Sequence, residues 1–107
     1  MSETLTRPAT VQFKQVERLA VLTAMEAACV RRLYVNIDWN HGYRSARISC
    51  DAERLPSAIV LTSKKVAEVA YQAFDATHPW AKESCGFVEI TSVTNEIVMH
   101  ASVLERI

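Results

Sequence analysis

The chain has 107 residues, half of them apolar, with only two glycines and three prolines. That is enough for one hydrophobic core and too little for two, and it excludes a disordered or collagen-like chain. Twelve basic residues balance twelve acidic ones, which argues against the basic surface that duplex binding draws on and removes long-range repulsion between copies.

Met1 to Thr10 carries Glu3 and Arg7 and no apolar centre, so it is no signal peptide; it reads as a flexible leader to a single domain over residues 11–107. Apolar runs such as Ala58 to Leu61 are far too short to span a bilayer. Cys29, Cys50 and Cys85 are odd in number and widely spaced. That pattern suits buried thiols in a cytoplasmic protein without cofactor.

From Val11 to Arg32 there is no Gly or Pro, and Ala, Leu, Met and Glu are plentiful, which predicts a helix. Phe13, Val16, Ala20, Ala24 and Ala27 form one apolar stripe. Val21, Leu22, Met25 and Cys29 widen it beyond what one sheet face needs, so the surplus packs on a second helix or forms a dimer contact. Arg31 and Arg32 would then sit in the last turn, at the negative end of the helix dipole.

The next stretch reads as a β-hairpin by parity. Leu33, Val35, Ile37 and Trp39 alternate with Tyr34, Asn36 and Asp38, and on the return Ala46, Ile48 and Cys50 alternate with Ser45, Arg47 and Ser49. Directly opposed residues share a face, so Ile37 pairs with Ala46, Val35 with Ile48 and Leu33 with Cys50. Counting inward leaves a two-residue turn, His41-Gly42, of the kind that needs positive φ at both positions. A three-residue loop would set Arg47 against Val35 and mix the faces.

Asp51 to Pro56 is a polar connector, and Ser57 to Thr62 is ambiguous between a short strand and a helical turn. Ser63 offers a cap for a helix to about Thr77. In it Val66, Val69, Ala70, Ala73 and Phe74 recur at helical spacing; burying Val66, Val69 and Phe74 is worth roughly 1.5–3 kcal/mol each. Pro79 ends it, and His78 is already biased away from helical angles. Gly86 to Val93 and Glu96 to Leu104 make a second hairpin about Thr94-Asn95, in a register that sets Glu89 opposite His100.

The expected architecture is therefore α+β in αββαββ order, a four-stranded antiparallel sheet with two helices on one face. Its open face would carry Tyr34, Asp38, Tyr43, Arg47, Glu89 and His100.

Tyr71, Thr77, His78, Trp80, Phe87, Glu89, Ile97 and the terminal Glu105-Arg106, with Gly42 and Ser45 in the first hairpin, give the chain a resemblance over most of residues 15–106. It resembles a family of uncharacterised proteins from proteobacteria, phages and plasmids. That family shows a DGxGDSGQI-like turn, a THxGW-type segment and a GE-containing hairpin. Here Arg44 stands where the family has an acid, Ala81 where it has Glu and Val88 where it has Gly. The resemblance implies a related fold and a mobile-element origin, and no reaction.

Chemistry is sparse. His41, His78, His100 and the three cysteines lack the close pairs that mark zinc sites. Glu89 opposite His100 could work as an acid–base pair, the enzymatic alternative, but no nucleophile elbow or phosphate loop accompanies it. Tyr34, Tyr43 and Arg47 could stack bases, yet they lack a basic surround. The reading that remains is a non-enzymatic binding protein. Its partner is another protein or a second copy, met on the face of Tyr34, Asp38, Tyr43, Arg47, Glu89 and His100. At the turn, Gly42→Val is expected to destabilise the domain by more than about 1 kcal/mol, since a β-branched residue resists positive φ; urea unfolding measures this.

Overall fold

A computed structural model describes residues 2–9, 15–51, 54–81, 83–93 and 96–106. The α+β class holds, and the four strands of the two hairpins form one antiparallel sheet with helices on one face. In chain order the elements are β1 (Ser2–Ala9), α1 (Gln15–Ala27), β2 (Arg32–Asn40), β3 (Tyr43–Cys50), α2 (Ser57–Leu61), α3 (Ser63–Thr77), β4 (Gly86–Val93) and β5 (Glu96–Arg106). The sheet order is β1-β5-β4-β2-β3.

Both hairpin registers are those that parity demands. Ile37 pairs with Ala46, Val35 with Ile48 and Leu33 with Cys50, and Glu89 pairs with His100. His41 and Gly42 have φ of 52° and 87°, the two left-handed positions of a tight hairpin turn. Residues 94 and 95, where the second turn was expected, lie outside the described residues. The hairpins join through β2 and β4, where Tyr34 meets Glu89 and Val35 meets Val88. Leu33, Val35, Ile37, Val88, Ile90 and Ala101 are fully buried on the helix side.

Two expectations are corrected. In place of the flexible leader expected over residues 1–10, Ser2–Ala9 form a fifth strand, β1, running antiparallel along β5 from Ser2 opposite Arg106 to Ala9 opposite Met99. A polar, threonine-rich segment has little periodicity to announce it; what makes it a strand is the ladder that β5 offers. The first helix also stops five residues earlier than expected. Cys29 turns into the left-handed region at φ 55°; the Val30 N–H donates to the Met25 carbonyl at 2.9 Å and the Cys29 N–H to Glu26 at 3.1 Å. This is a Schellman ending, usually built on glycine. Cys29 is consequently exposed rather than a core thiol, and Arg32 opens a strand instead of closing a helix.

Residues 57–61 resolve as helix, and α3 lies across the inner face in contact with every strand. Val66, Val69, Ala70, Ala73 and Phe74 are all fully buried, as their spacing required, and Val21 and Met25 of α1 are buried with them. Of the surplus on α1, Val21 and Met25 are core, while Leu22 is half-buried and Cys29 exposed; the helix packs toward α2 and α3. The closest approach is at Gly86. A Cβ there would sit 2.6 Å from Cε2 of Phe74 and collide with the Ser102 carbonyl oxygen. Bare backbone is what lets the Phe74 ring settle on the sheet.

A second tie holds the first hairpin. Arg44, on the inner face near the turn, donates from Nη1 to Asp75 Oδ2 on α3 at 3.0 Å. Its Nη2 stands 2.9 Å from Oδ1, an ionic contact without hydrogen-bond alignment. The guanidinium lies 4.8 Å from the Tyr71 ring centre, a cation–π distance. Burial pushes the Tyr71 phenol up from its ordinary range, and the Arg44 charge pulls it partly back.

Two substitutions should move stability in opposite directions. Gly86→Ala is expected to cost about 1–3 kcal/mol, because helix and sheet must part to admit the methyl. Cys29→Gly should add roughly 0.5–1 kcal/mol by relieving left-handed strain. Urea unfolding of both variants checks the pair, and an unaffected Gly86→Ala would contradict the close packing.

Candidate functional site

The polar face is built by the ladder itself. Because β2 lies between β3 and β4, and β4 between β2 and β5, one row across four strands reads Ser49, Tyr34, Glu89, His100. The next row reads Arg47, Asn36, Phe87, Ser102. Strands lie about 4.8 Å apart and alternate residues about 7 Å, so Arg47 is a diagonal neighbour of Tyr34. Thus four of the six expected residues, Tyr34, Arg47, Glu89 and His100, share one patch.

Asp38 and Tyr43 lie off the row of Tyr34, Glu89 and His100, although Asp38, opposite Ser45, is a diagonal neighbour of Arg47. The β2–β4 pairing ends with Ile37 opposite Gly86, so the hairpin tip runs on with Asp38 beside Ser45 and Asn40 beside Tyr43. Asp38 is two alternate-residue steps from Tyr34, roughly 13 Å. Tyr43 is a step further and 61% exposed. The tip is a separate, overhanging surface, held from below by the Arg44–Asp75 pair.

Arg32 belongs to the patch although sequence reasoning had assigned it to a helix end. Its Nε lies 3.1 Å from Glu89 Oε1, with both side chains partly exposed. The Tyr34 phenol first, and then the Glu89 carboxylate, hold the Arg32 guanidinium above its ordinary range. An exposed pair of this kind adds little to stability because water screens it, so its effect is to orient Glu89. Only knowing where α1 stops would have placed Arg32 here, and the left-handed Cys29 that stops it has no sequence signature.

This arrangement bears on the chemistry. Among the described residues the ion-pair partner of Glu89 is Arg32, not His100. An acid–base dyad needs its carboxylate on the imidazole. Two grooves reach the margins of the patch, Arg32 lining one and Arg47 the other. One, of about 900 Å³, lies at the end of α1 beside Leu22, Met25, Arg31 and Val93. The other, of about 440 Å³, lies beside β3 under Leu55 and Val60. Neither is lined by Glu89 or His100.

The remaining singled-out residues are structural. His78 is buried, with Nδ1 2.8 Å from the Thr77 hydroxyl. That hydroxyl also lies 2.8 Å from the Ala73 carbonyl; donating there, it accepts from His78 Nδ1–H. Trp80 packs edge-on against His78 at 5.3 Å. No cluster of three or more metal-capable side chains forms among the described residues, and no helix among them is long and apolar enough to cross a membrane.

No protein-family model matches the chain, and neither curated proteins nor solved structures provide a significant match.

Proposed function

We propose that this protein acts by binding another protein through the row of Tyr34, Glu89 and His100, with Arg32 and Arg47 at its margins. The observation that carries the reading is the juxtaposition of aromatic, cationic and anionic side chains in neighbouring positions of one sheet face. Tyr and Arg suit protein contacts because each buries a large area while keeping a polar end. The alternative, a small enzyme working through His100 and Glu89, is disfavoured by the turn of Glu89 toward Arg32. A mobile-element origin rests on the family resemblance alone.

The rival surface on α1 is largely removed. Val21 and Met25 are buried, which leaves half-buried Leu22 as the member of that set that could meet a partner, beside exposed Leu19.

The test is affinity capture from the native host, followed by calorimetry with the captured protein. Tyr34→Ala with His100→Ala should weaken that binding at least tenfold, about 1.4 kcal/mol, while circular dichroism stays native. Unchanged affinity, with loss on Leu22→Glu in a folded protein, would move the site to the helices. Turnover of a substrate that is abolished by His100→Ala would favour the enzyme.

A further inference from the structure

The open edge of the sheet supports a second inference, which shares Arg47 with the polar face. Strand β3 is terminal in the sheet order, and among the described residues no strand pairs with its outer side. It runs eight residues, Tyr43 to Cys50, without Gly or Pro. The opposite edge, β1, contains Pro8, which cannot donate to a ladder. A long, regular, unblocked edge is a template for another strand.

We propose that β3 pairs with β3 of a second copy, antiparallel about a two-fold axis, to make one continuous ten-stranded sheet. Three features point to a second copy as the occupant. The chain has no net charge, so two copies approach without long-range repulsion. Apolar side chains stand beside this edge: Val60 is 52% exposed, and with Ala46, Ile48 and Leu55 it lines the adjoining groove. A two-fold operation brings that apolar flank against its own copy. Finally, the strand has a self-pairing register that opposes no like charges.

The register follows from parity and charge. Pairing about an axis normal to the sheet keeps the helix side on the helix side, so only residues of equal parity can oppose one another. Centring the axis on Arg47 sets Arg47 against Arg47 of the second copy, like charges directly opposite. Centring it on Ala46 sets Ala46 against itself, Ser45 against Arg47 and Tyr43 against Ser49 of the second copy. A serine oxygen then accepts from a guanidinium twice over.

Sedimentation equilibrium of the full chain tests the association and the register together. Ser45 is exposed, so its replacement leaves the fold intact. Ser45→Glu is expected to tighten the dimer, and Ser45→Lys to raise its dissociation constant roughly tenfold or more, since two symmetric contacts change at once. In a background with Cys29, Cys50 and Cys85 replaced by Ser, Ala46→Cys should form an intermolecular disulfide on mild oxidation. Facing residues of adjacent strands lie within disulfide reach. A monomer at all concentrations, a dimer indifferent to both Ser45 variants, or cross-linking through Arg47→Cys instead of Ala46→Cys would each overturn the proposal.

Discussion

The antiparallel junction of β2 with β4 is the constraint on which the rest depends. Each hairpin alone is a two-stranded ribbon with one apolar face, and such a ribbon is at best marginally stable in water. Joined at Leu33–Ile90, Val35–Val88 and Ile37–Gly86, they present one inner surface wide enough for α3 to cross. The same junction sets Tyr34 against Glu89 on the outer side. Core and candidate site are therefore two faces of one pairing, and a one-residue slip would disorder both.

Helix α3 makes the junction durable by contacting strands on both sides of it. Phe74 settles where Gly86 lacks a side chain, and one residue on, Asp75 holds Arg44 near the hairpin turn. These two adjacent residues reach different hairpins. Phe74 anchors the start of the second, and Asp75 keeps the overhanging tip of the first against the body of the domain. On the polar face, the Tyr34, Glu89 and His100 side chains are ordered by cross-strand neighbours and the Arg32–Glu89 pair.

Much of this was legible from alternation. The pairing of Ile37 with Ala46, the left-handed His41-Gly42 turn and the Glu89–His100 register all follow from period-two patterning, because a buried face penalises every other register. The buried stripe of α3 follows equally from its helical spacing. What was not legible depends on partners distant in sequence. Strand β1 exists because β5 has an edge to fill. The end of α1 lies at a cysteine where glycine is usual, so no residue type announced it, and Arg32 was misplaced as a result. Arg44 could be put on the inner face by parity, but its ion pair with Asp75 requires knowing how α3 crosses the hairpin. Asp38 and Tyr43 share a face with Tyr34 yet not a neighbourhood, since parity gives the side of the sheet and says nothing of where β4 begins.

The measurement that bears most directly on this account is a nuclear Overhauser map of the isotope-labelled protein. Cross-strand backbone contacts should link Tyr34 to Glu89 and Glu89 to His100, forming one continuous ladder from β3 to β5. Contacts confined within each hairpin, with none between β2 and β4, would contradict the shared sheet and remove the polar row on which the functional reading stands.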